Sequence, residues 1–311
     1  MAVIGIDLGA TKLALAVFSD EGELLERKEQ LIKDRDVGEL VRDVVRETVA
    51  VSEVEIQGVG MCVPGIYYPD TGRVWAPNIP GWDDYPLLDV LSGAVGEGVR
   101  VRVESDRACC ILGEIWKGAA QGCTDAVFMA VGTGIGAGII SGGRIINGPR
   151  GIAGAIGWMA LDRPYREGYE TFGCFEYFAS GDGLARAAHF FMDDAYAGPL
   201  RDGAEVDARR IFQAYTSGDE LARRVIDNAV EFWGMATANL ISILNPQKII
   251  FGGGVFGPAT DLLPRIEDEA RKWAQPISMK MVSLEPSQLG PHAALYGAAR
   301  LATTTSDDER L

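Results

Sequence analysis

Histidine and paired cysteine are both scarce in this chain, and each shortage removes a class of chemistry. His189 and His292 are the only two histidines, which leaves little material for a histidine-rich metal site or a Ser-His-Asp hydrolase. The five cysteines, Cys62, Cys109, Cys110, Cys123 and Cys174, are odd in number and show no CxxC spacing. That pattern argues against a disulfide framework and against a cysteine-rich zinc site. No apolar run reaches the ~18 residues of a membrane-spanning helix. No basic segment followed by a small-residue cleavage site opens the chain, so a cytoplasmic protein without a membrane partner is expected. Positive charge is in deficit as well, with a net charge of −15. So acidic a surface repels phosphate backbones and anionic lipids, and nucleic acid is not an expected partner. An anionic nucleotide would need a local pocket of backbone N–H groups and a metal ion, and no GxxxxGK(S/T) loop is present to supply one.

What is present is an ordinary globular composition, 47% hydrophobic and 23% charged over 311 residues, long enough for two lobes. The opening reads as strand, turn and strand: Val3–Asp7, then Leu8 to Lys12, then Leu13–Phe18. A further turn at Asp20-Glu21-Gly22 leads to a third strand at Glu23–Gln30. Apolar residues at helical spacing mark Val37–Val51, followed by a strand at Ile56–Cys62. The opening pattern returns halfway along, as Ala126–Val131, the turn Gly132-Thr133-Gly134-Ile135-Gly136, Ala137–Ile140, and Arg144–Ile146. Its recurrence predicts two related α/β lobes. Between the repeats, a strand at Val99–Glu104 runs into a helix from Asp106 to Gly118. Later come a long helix at Asp219–Leu244 stopped by Asn245-Pro246, a buried strand at Lys248–Phe251, a helix at Pro258–Trp273, a strand at Met281–Leu284 and a last helix at His292–Thr303.

Five stretches carry chemistry. Asp7-Leu8-Gly9-Ala10-Thr11-Lys12 sets an acid, a glycine, a hydroxyl and a cation around one turn, suited to a hydrated Mg²⁺ and a phosphate tail, although an ordinary hairpin reads the same way. Gly132-Thr133-Gly134-Ile135-Gly136-Ala137-Gly138 alternates glycines, so backbone can approach an anion closely. By its letters it also satisfies a dinucleotide fingerprint, but that reading requires a helix next, and the following residues look like strands. Gly252-Gly253-Gly254, between a buried strand and a helix, suits a flat ring or a ribose. Glu104-Ser105-Asp106 stands at a strand-to-helix junction. There Asp106 either accepts a proton from a substrate hydroxyl during phosphoryl transfer or simply caps the helix. The loop Pro77-Asn78-Ile79-Pro80-Gly81-Trp82 is of a kind that binds sugars, with Trp82 equally suited to a core.

Taken in order, these stretches resemble the ROK family of bacterial sugar kinases, within the hexokinase–actin superfamily. The shared stretches are Gly5–Lys12, Val63-Pro64-Gly65, Pro77–Trp82, Glu104–Glu114, Gly132–Gly138, Gly148–Gly157, Gly173–Glu176 and Gly252–Gly254. The resemblance implies two ribonuclease H-like (actin-like ATPase) α/β lobes with a cleft between them. Residues 1–118 plus 290–305 would form an N-terminal lobe with the acceptor site and first phosphate loop. Residues 119–289 would form a C-terminal lobe with the second phosphate loop and the adenosine site. It further implies that Asp7 lies near Mg²⁺, held through water, and that Gly9, Thr11 and Lys12 belong to the first phosphate loop. Gly132, Thr133 and Gly134 would form the second, Gly253 and Gly254 would lie against adenosine, and Asp106 would be the catalytic base. Gly65, Asn78, Ser105 and Glu176 fall on sugar-contacting positions. The family's repressors carry a winged-helix domain ahead of this fold. Here the first strand starts at Ala2, which disfavours a repressor.

The departures from the family pattern are specific. Asn-Asp-Ala-Asn becomes Ser105-Asp106-Arg107-Ala108. Gly-Glu-hydrophobic-Gly-His, whose Glu and His grip the C1/C2 side of the sugar, becomes Gly154-Ala155-Ile156-Gly157-Trp158, which brings Trp158 to the substrate. The zinc loop CxCGxxGC becomes Glu167-Gly168-Tyr169-Glu170-Thr171-Phe172-Gly173-Cys174 and keeps one cysteine, where a structural zinc needs about four N/S ligands. No zinc is expected. Without the Glu at position 155, a charged acceptor worth roughly 1.5–3 kcal/mol per hydrogen bond is gone. The expectation is therefore an ATP- and Mg²⁺-dependent kinase acting on a hydroxyl, a primary one by the family's pattern, of a sugar or sugar-like polyol altered at C1/C2, such as a deoxy or substituted sugar or a cyclitol. A homodimer is implied by the resemblance. The alternatives are a glucokinase proper, a nucleotide-binding regulator without phosphotransfer, an actin-like ATPase without acceptor, and an NAD-dependent dehydrogenase if the Gly132 turn opens a helix.

Overall fold

The computed structural model describes all residues except 10, 34, 202–203 and 304–311. Ala10 of the first turn and residues 304–305 of the expected N-terminal lobe lie outside it. In chain order the first elements are β1 (Ala2–Leu8), β2 (Lys12–Ser19), β3 (Leu24–Leu31), α1 (Val37–Val51), β4 (Ile56–Val63), β5 (Ile66–Tyr68), β6 (Arg73–Trp75), α2 (Leu87–Ser92), β7 (Arg100–Ser105) and α3 (Asp106–Lys117). Then follow β8 (Ala126–Val131), β9 (Ile135–Ser141), β10 (Arg144–Ile145), α4 (Tyr169–Phe172), α5 (Cys174–Ala179), α6 (Gly181–Phe191), α7 (Ala208–Thr216) and α8 (Glu220–Leu244). The chain ends with β11 (Lys248–Gly252), α9 (Leu263–Trp273), α10 (Pro276–Met279), β12 (Ser283–Pro286) and α11 (Ala293–Thr303).

Two units divide the described residues: those within 1–124, 138–153 and 287–303 make the first, and those within 125–137 and 154–286 the second. In the first, the sheet runs β3-β2-β1-β4-β7. Strands β1, β2 and β3 pair antiparallel, and β4 and β7 add parallel to β1. Side chains alternate across it with the two-residue period of a strand. Ile4 and Ile6 enter a core with Val41, Val44, Leu87 and Leu91, while Val3, Ala16 and Phe18 face Leu295 and Ala299 of α11. The edge strand β3 carries Glu26, Arg27, Lys28 and Glu29, which discourages pairing with another chain. Helix α1 begins where expected because Asp36 caps it, accepting from Glu39 N at 2.9 Å.

The second sheet has the order β10-β9-β8-β11-β12, with β8, β11 and β12 parallel. Numbered from the opening strand of each repeat, the two orders are the same, as the repeated pattern predicted. The expected helix at Pro258–Trp273 is divided. A 3₁₀ turn spans Pro258–Leu262, and α9 starts at Leu263 with Pro264 in its first turn, where the missing N–H costs nothing. The last strand is displaced to Ser283–Pro286, leaving Met281 exposed. Helices α4 to α7 carry no expectation from the sequence pattern. Among the described residues no helix is long and apolar enough to cross a membrane.

Candidate active site

In the first unit, strand register gathers the acidic side chains. Asp7 of β1 lies opposite Cys62 of β4, and Cys62 lies opposite Glu104 of β7. All three therefore stand in one row at the carboxyl ends of parallel strands, where α/β sheets place ligands. The Cys62 thiol donates to Asp7 Oδ1 at 3.1 Å. Burial raises the Asp7 carboxyl above the usual aspartate value, against the thiol, Lys12 and His292, which lower it. The turn after β1 is closed by Gly9 N donating to Lys12 O at 2.9 Å. Thr11 is exposed, and Lys12 pairs with Glu29 at 3.1 Å.

At the end of β7 the question of who caps α3 has an answer. Ser105 is the N-cap and accepts from Ala108 N at 3.4 Å, and Asp106 is the first helical residue. The cap therefore does not occupy Asp106. Its Oδ1 accepts from Arg107 N at 2.8 Å, and its side chain keeps 49% of its surface open. Even so, loss of surrounding water to the protein raises its pKa, with Asp7 adding to the rise and Arg107 opposing it. Glu104 beside it is tied down, accepting from Ser105 N at 2.7 Å and from Asn147 Nδ2 at 2.6 Å. Gly65 follows β4 at φ +110°. Asn78 is exposed and makes no side-chain hydrogen bond among the described residues. Trp82 is core: it is 2% exposed and stacks on Tyr85 at 4.4 Å.

The second unit offers backbone. Gly132-Thr133-Gly134 joins β8 to β9, closed by Gly132 N donating to Gly134 O at 2.9 Å, and Gly181 N donates to Gly132 O at 2.7 Å. A strand follows this turn, not a helix, so the dinucleotide reading falls. Glu176 of α5 braces the same turn, accepting from Ile135 N at 2.7 Å, and burial raises its pKa. Gly253 sits at φ +89°, and a Cβ there would meet Val131 O at 2.4 Å, so only glycine brings β11 this close to β8. A cavity of about 1040 Å³ opens between Gly132, Thr133 and Gly254 on one side and Arg186, Phe212 and Gln213 on the other. Its size and mixed lining suit a nucleotide.

Sequence reasoning missed the α6 and α7 wall of this cavity. A signal for α7 was available: Asp207 caps it, accepting from Arg210 N at 2.8 Å, ahead of the buried Ile211, Phe212 and Ala214. Ala155 precedes a 3₁₀ turn at Ile156–Trp158, and the Trp158 side chain is 56% exposed. The segment that resembles a zinc loop is held by side chains. Tyr169, 4% exposed, donates to Asp162 Oδ2 at 2.7 Å, and Arg166 Nε reaches the same oxygen at 3.0 Å. Leu161 N donates to Cys174 Sγ at 3.3 Å. No group of three His, Cys, Asp or Glu able to hold a metal occurs among the described residues.

Residues 3–305 match the family model described as the ROK family. A glucokinase of Halalkalibacterium halodurans is 31% identical, covering 96% of this chain and 94% of the relative. An N-acetyl-D-glucosamine kinase of Escherichia coli is 29% identical, over 96% of this chain and 99% of the relative. Among solved structures, a ROK family glucokinase from Streptomyces griseus in complex with glucose and AMPPNP superposes with a TM-score of 0.75 at 30% identity, covering 97% of this chain and 99% of that one.

Proposed function

We propose, from the premise that this chain belongs to the ROK family and is a carbohydrate kinase, that it transfers the γ-phosphoryl group of ATP to a hydroxyl of a hexose derivative or cyclitol altered at C1/C2. The observation that carries this reading is Asp106. Ser105 relieves it of capping, its carboxylate is half-open, and its proton affinity is raised toward what a general base needs. In the reaction the acceptor O–H proton passes to the Asp106 carboxylate while that oxygen forms a bond to the γ-phosphorus. The bond from phosphorus to the bridging oxygen breaks, its electron pair stays with ADP, and Asp106 later returns the proton to water.

Asp7 suits a hydrated Mg²⁺: its one side-chain hydrogen bond, from Cys62, leaves acceptor capacity for bound waters. Mg²⁺ would neutralise phosphate charge. Gly9, Thr11 and Lys12 would serve the first phosphate loop, Gly132, Thr133 and Gly134 the second, and Gly253 and Gly254 adenosine. The acceptor would meet Gly65, Asn78, Ser105, Glu176 and Trp158. The division into an acceptor lobe of residues 1–118 with 290–305 and a nucleotide lobe of residues 119–289 belongs to the same reading, as does a cytoplasmic homodimer working without zinc.

The unusual end of the acceptor site supports a substrate other than glucose. The Ala155 side chain offers no acceptor for sugar hydroxyls, and Trp158 presents an exposed apolar ring. Glucose itself is the second reading, favoured by the resemblance to a glucokinase over nearly the whole chain. An ATP-to-ADP coupled assay over hexoses, amino sugars, deoxy sugars and cyclitols, with Asp106→Asn as control, decides between them. Turnover on one altered acceptor, lost in the variant, is the expected result. A micromolar KM for glucose would replace the preferred acceptor, and acceptor-independent ATP hydrolysis would remove the kinase mechanism.

A further inference from the structure

Arg107 stands where helix chemistry disfavours it. It is the second residue of α3, in the turn whose free N–H groups favour anions over cations. Its side chain is 21% exposed, and an arginine so covered normally has close partners. Its close contact with Asp106 comes from the backbone N–H, at 2.8 Å. The guanidinium reaches that carboxylate only at 3.9 Å, through Nε. None of its five N–H donors makes a side-chain hydrogen bond among the described residues, so the donor set is complete and unused.

The backbone that carries this side chain is fixed. A Cβ at Gly138 would meet the Arg107 carbonyl oxygen at 2.0 Å, so β9 passes directly against the first turn of α3. Charge around the position is one-sided. Asp7, Glu104 and Asp106 gather at the strand ends, and Lys12 is engaged with Glu29. Arg107 is thus a cation with unused donors in a neighbourhood of carboxylates, on a chain of net charge −15.

We propose that Arg107 is a second catalytic residue of the phosphoryl transfer, donating hydrogen bonds to oxygens of the phosphoryl group as it passes from ATP to the acceptor. The inference rests on the kinase reading above and adds to it. An acceptor hydroxyl within hydrogen-bond reach of Asp106 places the phosphorus it attacks one bond further on, within range of the next residue's long side chain. As Asp106 takes the proton it loses its negative charge, so the guanidinium loses the attraction of the carboxylate 3.9 Å away, with Glu104 remaining as the other acid that feels its charge. Negative charge on the phosphoryl oxygens is then what it can bind. The attraction shifts from carboxylate to phosphoryl in the same step as the proton, which is stabilisation specific to the transition state.

The test uses full-length enzyme with ATP, Mg²⁺ and the acceptor selected from the panel, comparing Arg107→Ala, Arg107→Lys and Arg107→Gln. Removing one such donor elsewhere costs about 10²–10³-fold in rate, and Arg107→Ala is expected to lower kcat by about 10²-fold with KM for ATP and acceptor changed less than about threefold. Arg107→Lys recovers part of kcat. Millimolar guanidinium ion restores part of the rate to Arg107→Ala and none to Asp106→Asn, which a merely structural role would not produce. Arg107→Gln keeps much of the stem and secures the comparison if the alanine variant unfolds. A kcat within about fivefold of the unaltered enzyme in the alanine and glutamine variants, or a loss confined to acceptor KM, overturns the proposal. Lack of turnover by the unaltered enzyme on every acceptor would overturn the kinase reading with it, whereas turnover insensitive to Arg107 removes this inference alone.

Discussion

The first sheet, β3-β2-β1-β4-β7, ends in side chains, and the second, β10-β9-β8-β11-β12, ends in bare backbone. Asp7, Cys62 and Glu104 stand in register at the carboxyl ends of the first, with Asp106 one step into α3. At the corresponding ends of the second are Gly132 and Gly134 after β8 and Gly253 after β11. In the proposed reaction one strand order would serve two tasks. Proton transfer needs a carboxylate whose proton affinity its surroundings can raise. Holding an anion needs N–H groups with no Cβ in the way. Burial raises both Asp7 and Asp106, whereas the glycine turns carry no charge whose desolvation must be offset.

The largest expected effect comes from breaking the side-chain end. Asp106→Asn should lower kcat about 10²–10⁴-fold, the usual share of a general base. Because the native carboxyl is raised, the acid limb of kcat/KM should lie above the ordinary aspartate range. The sign for stability is opposite to that of a salt-bridged acid. Folding favours the protonated form, so this group's contribution is present at low pH and lost as pH rises through its folded pKa. Asp106→Asn should therefore melt no lower than the native protein at pH 7–8, with any advantage vanishing in acid. A variant that loses activity and also melts well below the native protein at neutral pH would count against this balance.

Breaking the backbone end should cost stability first. Gly253→Ala forces a Cβ into contact with Val131 O at φ +89°, a strain of about 1–3 kcal/mol. Expected are a lower Tm and a raised KM for ATP, with the acid limb of kcat/KM unmoved. An unchanged Tm and ATP KM would show that close approach of β11 to β8 is not what the glycine serves. The smallest effect sharpens the comparison within the second unit. Tyr169→Phe removes the donor to Asp162 and should lower stability by about 1 kcal/mol. The Tm of the unaltered protein should be the same with and without a chelator, and a chelator-dependent fall would reveal a metal in this segment.

Local signals were legible where one physical cause dominates. The apolar stripe and Asp36 cap of α1 and the Asn245-Pro246 stop of α8 were readable because period and cap chemistry act within a few residues. The three glycine turns and Asp106 were readable as residue types at strand ends. Trp82 was ambiguous, since a sugar-stacking ring and a core ring look the same until Tyr85 is found lying against one. Helix α7, which walls the nucleotide-sized cavity, went unread because it is short and follows irregular chain.

By itself, then, the sequence determined the repeated strand-turn-strand order, the position of the carboxylates and glycines at strand ends, and the membership of the family that shares them. Those features are local, or reside in the order of motifs along the chain. Only the tertiary structure decided that Asp7, Cys62 and Glu104 share a row, that Ser105 and not Asp106 caps α3, and that the Arg107 guanidinium lies partly buried with its donors unused. Register, burial and the partners of a side chain depend on residues tens of positions away, and no spacing along the chain records them.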